Sequence, residues 1–225
     1  MTTPSVLLCD LDGVVLDSMR FHVLAWQEAL AERGIDAPAE AIYLHEGDVE
    51  NTALFRRLEG ESSRRDDEFI RGVFDRQMEI FTRRYAHQVR PFPEAVSALE
   101  NLKAAGMRLA LVTSSARPVV DRILPTSLTT LFEQVVTGDM VSRGKPHPEP
   151  YLAAMRAMRL EDPRPAAAVE NAPAGVRSAL AAGLTCLALT TTLAAEWLGE
   201  AHAVFPSWLE LTASLTAFQP RHSQI

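Results

Sequence analysis

Val6-Leu7-Leu8-Cys9-Asp10-Leu11-Asp12-Gly13-Val14-Val15-Leu16-Asp17-Ser18 is the stretch whose reading decides the fold. The apolar run Val6 to Cys9 is too short for a helix and suits a buried strand. It ends on Asp10, with Asp12 two positions on and Gly13 allowing a sharp exit. Ionised carboxylates at the end of a buried strand are costly unless a cation or donors compensate them. In an open parallel sheet, ligands collect in the crevice beyond the carboxyl ends of the strands. An Asp-Gly turn closing a hairpin is the plain alternative. A calcium loop is excluded, because it needs its Gly sixth and a Glu twelfth, whereas Gly13 comes fourth.

Outward from this stretch, the pattern turns helical. Met19, Val23, Trp26 and Leu30 recur at helical spacing, and Gly34 is a natural stop. Pro38 opens a second helical piece toward Leu44, and Ala53, Leu54 and Leu58 mark a third that ends at Gly60. Between Arg64 and Tyr85, Phe69, Ile70, Val73, Phe74, Gln77 and Phe81 form an apolar stripe on a charged helix, whose charges read as a solvated face. Arg90-Pro91-Phe92-Pro93 is a stiff joint. Beyond it helices and short apolar strands alternate, with strands expected at Arg108–Val112, Phe132–Val136, Ala166–Val169 and Thr185–Leu189. That rhythm predicts an α/β fold, a doubly wound parallel sheet with helices on both faces. The first strand belongs to the sheet, so the helical stretch after it is an insertion.

Composition narrows the partners. The chain has 225 residues, 47% hydrophobic and 23% charged, as in an ordinary soluble protein, and a net charge of -7. No basic excess is available to displace counterions, which argues against nucleic acid. Anionic small molecules stay open, because local donors and a metal can reverse the field within a pocket. Cys9 and Cys186 sit in apolar runs and read as buried, reduced thiols. No secretory leader pattern and no bilayer-length apolar stretch is seen, so a cytoplasmic protein without a membrane partner is expected.

The chemistry is read at four strand ends. The first presents Asp10 and Asp12. The second presents Thr113 and Ser114, hydroxyl and amide donors near a helix start that suit an anion, or plain helix capping. Gly144-Lys145-Pro146-His147-Pro148 holds one Lys in a proline-rich loop. The fourth presents Glu170 and Asn171, two oxygen ligands, or an Asn turn ahead of a helix. A carboxylate nucleophile, a second carboxyl group, anion donors, an ammonium and hard oxygen ligands together fit phosphoryl transfer with Mg²⁺. The rivals fail on spacing. Gly138 to Lys145 has one residue too many for a P-loop, and Pro146 stands where Ser or Thr is required. No G-x-S-x-G elbow and no paired His or Cys pattern for zinc is present.

Asp10-Leu11-Asp12-Gly13-Val14, Thr113-Ser114, Lys145 before Pro146, and Glu170-Asn171 resemble, in order, the four motifs of the haloacid-dehalogenase-like (HAD) phosphohydrolases. The resemblance runs from about Val6 to Leu211. It implies a HAD-like Rossmannoid core at residues 1–17 and 90–225, with an inserted helical cap at 18–89. That cap is similar to the one in the group containing β-phosphoglucomutase and phosphoglycolate phosphatase, which His22 and Trp26 also match.

The resemblance implies roles. Asp10 would form an aspartyl-phosphate, and Asp12 would protonate the leaving oxygen and then help activate water. Thr113, Ser114 and Lys145 would hold the phosphoryl group. Asp10, the Asp12 carbonyl, Asn171 and Glu170, the last directly or through water, would bind Mg²⁺. Asp12 favours phosphate esters, because dehalogenases and phosphonoacetaldehyde hydrolases lack an acid there.

Two departures matter. Asn171 stands where many relatives carry Asp, which removes a negative charge beside the metal. The cap loop His45-Glu46-Gly47-Asp48-Val49-Glu50 is acidic, where the β-phosphoglucomutase pattern carries Lys and Arg. The expectation is a phosphatase acting on a small phosphorylated metabolite, with His22, His45, Glu46 and Gly47 facing the substrate and a cap hinged near Leu16–Ser18 and Arg90–Pro93. A sugar-phosphate mutase and a catalytically weakened binding or regulatory protein are the alternatives. The chain is expected as monomer or homodimer.

Overall fold

The computed structural model describes residues 4–45, 52–60 and 65–217. Six parallel strands form one sheet: β1 (Val6–Cys9), β2 (Arg108–Val112), β3 (Gln134–Val136), β4 (Ala166–Glu170), β5 (Thr185–Leu189) and β6 (Ala203–Phe205). Their spatial order is β3-β2-β1-β4-β5-β6, so the first strand lies in the middle and the order reverses beside it. This is the doubly wound α/β sheet that the strand rhythm predicts.

Alternation along β1 explains why both faces are covered. Leu7 and Cys9 join one core with Leu109, Leu111, Val169 and Leu189. Val6 and Leu8 join the other with Ala110, Ala166, Ala168 and Ala188. The second face is alanine-rich, and α8 (Glu149–Ala157) and α9 (Pro173–Ala181) pack on it. On the larger-residue face lie α5 (Pro93–Ala104) and α10 (Trp208–Ala217), which touch each other. The remaining core helices are α6 (Arg117–Ile123) and α7 (Thr126–Thr129).

Between β1 and α5 the described chain is helical: α1 (Met19–Ala31), α2 (Ala39–His45), α3 (Thr52–Glu59) and α4 (Asp67–Ile80). A π-helical turn at Phe81–Tyr85 and a 3₁₀ turn at Ala86–Gln88 continue α4. The Asp66 side chain caps α4 by accepting from Phe69 N at 2.7 Å. Arg76 clamps α4 to Glu32, just past α1, with contacts of 2.8 and 2.7 Å. The two connections to this helical stretch run side by side. Asp17 N donates to Arg90 O at 2.9 Å, and Phe92 N donates to Val15 O at 3.0 Å.

Two strand boundaries differ from the sequence pattern, β4 running one residue further to Glu170. The third strand begins at Gln134 rather than Phe132, although Glu133 N still donates to Leu109 O at 2.8 Å. A sixth strand and α10 follow β5, and three half-buried edge residues carry too little apolar alternation to read as a strand. Among the described residues no helix is long and apolar enough to cross a membrane.

Candidate active site

Register brings the predicted residues to one level. Cys9 pairs with Leu111 on one side and Val169 on the other, so Asp10, Val112 and Glu170 follow at the same height. Asp10 N donates to Val169 O at 3.0 Å, which continues the ladder one residue beyond β1. Three carboxylates then crowd around the central strand end. Lys145 enters from the loop between β3 and α8, and its ammonium spends all three protons there. It donates to Asp10 Oδ1 at 2.6 Å, Glu170 Oε1 at 2.7 Å and the Val112 carbonyl at 3.1 Å. The charges of Asp10 and Glu170 outweigh burial and push the Lys145 ammonium up, so it stays charged. Burial pushes Asp10 upward as well. Lys145 pulls it back, but the neighbouring Glu170 and Asp12 charges add to burial, and the net direction is up. One ammonium does not neutralise this carboxylate.

The loop bearing Lys145 is held by more than its prolines. Glu149 accepts from Ser142 N at 2.7 Å and Arg143 N at 3.1 Å, and Ser178 Oγ donates to His147 O at 2.6 Å.

Asp12 lies in a different environment. Ser18 Oγ donates to its Oδ1 at 2.6 Å and Ser115 Oγ to its Oδ2 at 2.8 Å. Thr113 Oγ1 lies 3.4 Å from Oδ2, and His22 Nε2 lies 3.3 Å from Oδ1. Burial raises its pKa, but the His22 contact and the two serine hydroxyls outweigh burial and hold the carboxyl down at about 2. Asp12 therefore rests ionised. His22 is itself fixed from behind, because the Gln77 amide nitrogen meets Nδ1 at 3.3 Å and the ring stacks on Phe81 with centroids 3.9 Å apart. An amide nitrogen can only donate, so Nδ1 accepts and Nε2 carries the proton that faces Asp12.

Glu170 and Asn171 are shaped by neighbours that lack side chains. Glu170 Oε1 takes both Lys145 and the Tyr151 hydroxyl, the latter at 2.5 Å, and Oε2 takes Asn171 N at 3.3 Å. A Cβ on Gly175 would stand 2.1 Å from that carboxyl group. Gly13 has φ +83°, and a Cβ there would stand 2.2 Å from Asn171 Nδ2, so conformation and space both require glycine. Thr192 Oγ1 donates to Asn171 O at 3.1 Å, which uses its one proton. Its lone pair must then accept Asn171 Nδ2, also at 3.1 Å, and this fixes the amide with Oδ1 as its remaining ligand atom.

The donor set suits a hard divalent cation. Among the described residues Asp10 and Glu170 share the Lys145 ammonium and Asp12 adds a third carboxylate, while the Asp12 carbonyl and Asn171 Oδ1 add neutral oxygens. Among the described residues no three His, Cys, Asp or Glu side chains form a metal cage, so a cation here would rely on carbonyl, amide and water oxygens.

The structure thus brings together Asp10, Asp12, Thr113, Ser114, Lys145, Glu170, Asn171 and His22 around one cavity of about 870 Å³. His45, half-buried at the end of α2, does not line it. Glu46 and Gly47 lie outside the described residues. Ser18, Ser115, Gln77, Tyr151 and Thr192 were not legible beforehand. Ser18 and Ser115 sit beside recognisable motifs, whereas Gln77, Tyr151 and Thr192 reach the site from distant helices and loops.

A family model described as haloacid dehalogenase-like hydrolase matches residues 4–183. Hexitol phosphatase A of Escherichia coli is 31% identical over 207 residues, covering 92% of this chain and 93% of that protein. Validoxylamine A 7'-phosphate phosphatase of Streptomyces hygroscopicus is 30% identical over 214 residues, covering 92% and 95%. A β-phosphoglucomutase-like structure from Bacteroides vulgatus superposes with a TM-score of 0.80 at 28% identity, covering 97% and 90%.

Proposed function

From the premise that this chain belongs to the haloacid dehalogenase-like hydrolases, a membership its matched residues and phosphatase relatives establish, we propose a Mg²⁺-dependent phosphomonoester hydrolase with Asp10 as nucleophile. The observation that carries the reading is the buried Lys145 ammonium held between Asp10 and Glu170 in the lining of a cavity that Asp12 also lines. A structural ion pair has no need of a cavity or of a further carboxylate beside it.

In the first step Asp10 attacks phosphorus in line and the leaving alcohol departs, giving an aspartyl-phosphate. The leaving oxygen takes its proton from Asp12. Because Asp12 rests as a carboxylate, it must first receive that proton, and the singly protonated form of the ester can bring it in. In the second step Asp12 accepts a proton from water as the water attacks phosphorus, which restores Asp10 and releases phosphate. Thr113 and Ser114 hold the phosphoryl oxygens, while Lys145, its protons taken by Asp10, Glu170 and the Val112 carbonyl, keeps Asp10 aimed and sets its positive charge beside them. Asp10, the Asp12 carbonyl and Asn171 would hold Mg²⁺, with Glu170 reached through water because its Oε1 is spent on Lys145 and Tyr151. When bound, Mg²⁺ would neutralise charge on the phosphoryl oxygens.

The helical stretch over the site would work as a cap. The paired connections at Val15–Asp17 and Arg90–Phe92 are where it would hinge, and closure would exclude bulk water. Relatives named as a hexitol phosphatase and a validoxylamine A 7'-phosphate phosphatase support a small phosphorylated metabolite as substrate. Phosphate release across a panel of metabolites at millimolar Mg²⁺, with Asp10→Asn as blank, tests the reading. Isomerised sugar phosphate without free phosphate would replace it with the mutase. No turnover of any ester by the folded protein would replace it with a binding protein.

A further inference from the structure

We propose that Thr191 and Trp208, both from the segment after β5, are positioning residues for the cation, because they pin the turn whose Asp12 carbonyl would bind it. This rests on the Mg²⁺-dependent reading above. Nearly every carbonyl in the turn Leu11–Leu16 is taken. Leu11 O accepts from Val15 N and Leu16 N, both at 2.9 Å, and Leu16 O accepts from Gly13 N at 2.8 Å. Val15 O accepts from Phe92 N at 3.0 Å. Val14 O accepts from the Trp208 indole Nε1 at 2.8 Å, and Gly13 O accepts from the Thr191 hydroxyl. Among the described residues the Asp12 carbonyl is the one in this turn that accepts nothing. An interior carbonyl needs a partner, and a hard cation is one that suits it.

The direction of that carbonyl follows from the peptide plane. In a trans peptide the C=O points opposite to the N–H of the next residue. Gly13 N faces Leu16 O, so the Asp12 carbonyl is turned away from Leu16. Gly13, at φ +83° and without a Cβ, leaves the plane free to swivel. The restraint comes from outside the turn. Thr191 and Trp208 hold the next two carbonyls, those of Gly13 and Val14. Thr192 beside them orients Asn171, with its hydroxyl 3.1 Å from both the Asn171 carbonyl and Nδ2. Two consecutive hydroxyls thus steady the two neutral ligands, which meet at Gly13, where a Cβ would stand 2.2 Å from Asn171 Nδ2. The anchor is itself fixed. Thr190 N donates to Phe205 O at 3.0 Å, and Trp208 is buried at the start of α10, which packs on α5. A buried indole N–H is costly without an acceptor, so Trp208 and Val14 O hold each other in place.

Thr191→Val and Trp208→Phe each remove one donor and keep most of the bulk. Each should raise the Mg²⁺ half-saturation of phosphate release by about tenfold, with kcat recovered at saturating Mg²⁺. In the substrate-free protein, the rise of Tm with Mg²⁺ should move to higher Mg²⁺ by the same factor. Thr191→Ser keeps the hydroxyl and should follow the wild type in both measurements. If Trp208→Phe does not fold, Thr191→Val decides. A lowered Tm with unchanged Mg²⁺ dependence would overturn the proposal and leave both residues as packing. So would a loss of kcat that Mg²⁺ does not restore. The thermal measurement separates this proposal from the reading beneath it. If Mg²⁺ raises the wild-type Tm but no ester is hydrolysed, the phosphatase reading falls, and the thermal shifts of the variants still decide the positioning role. If Mg²⁺ alters neither the wild-type Tm nor its turnover, the positioning role falls with the metal.

Discussion

Gln77 Nε2 stands 3.3 Å from His22 Nδ1 in the buried seam between α4 and α1. Because the far ring nitrogen faces Asp12 at 3.3 Å, a glutamine on the cap side sets which protonation state the acid–base group sees. Gln77→Leu should lower kcat about tenfold with little change in KM, a part of the ~100-fold or more that a positioned acid–base supplies. The ¹⁵N shifts of the His22 ring should show the single tautomer of the wild type becoming mixed. An unchanged tautomer with lowered kcat would locate the effect in cap packing.

Asp12 carries both proton transfers in the proposed cycle, so its loss separates the two half-reactions. Acetyl phosphate has a leaving group that needs no proton. Asp12→Asn should still accept phosphate from it yet fail to hydrolyse the intermediate, and a phosphorylated protein should accumulate in rapid-quench mass spectra. On alkyl esters the same variant should lose about 10²–10⁴-fold in kcat. Equal losses on both substrates, with no phosphorylated protein, would remove Asp12 from the acid role.

Thr192 spends its proton on the Asn171 carbonyl and turns the Asn171 amide, both contacts at 3.1 Å. Thr192→Val removes that constraint and should raise the Mg²⁺ half-saturation several-fold, the usual cost of losing a group that orients a metal ligand being about 10–100-fold in affinity. Asn171→Asp restores a charge and should lower it. If Asn171→Asp leaves half-saturation unchanged or raises it, Asn171 is no ligand.

Among the described residues Lys145 is the sole counter-charge between Asp10 and Glu170, and both carboxyl groups are buried. In the metal-free protein Lys145→Met should destabilise by about 3–5 kcal/mol, the usual result of stranding one side of a buried pair. The sign with pH follows from the carboxyls. Asp10 already sits above its unfolded pKa and Lys145 is what pulls it back, so without Lys145 it rises further, and the lost stability returns as pH falls and deepens as pH rises through the Asp10 value. Denaturant melts at pH 5 and pH 8 measure this, and a loss that shrinks at the higher pH would contradict it.

Much of this architecture was legible because its signals are local. The run Val6–Cys9 ending in Asp10, the glycine at 13 and the alternation beyond Pro93 each follow from a few neighbouring residues. The short edge strand at Ala203–Phe205 was not legible, because its pairing with Leu187–Leu189 is decided by the rest of the sheet. Phe74 belongs to the apolar stripe of α4 yet is exposed; helical period cannot distinguish a cleft from an interior. Gln77, Tyr151 and Thr192 reach the site through folding over 55, 19 and 21 residues from the groups they touch, and no spacing rule encodes such contacts.

The measurement that bears most directly on the account is chemical trapping at Asp10. Wild-type protein, caught during turnover of acetyl phosphate and reduced with borohydride, should carry homoserine at position 10 and nowhere else. Asp12→Asn should yield more of it. Sustained phosphate release with an unreduced Asp10, or reduction at another carboxylate such as Glu170, would contradict the claim that Asp10 attacks phosphorus.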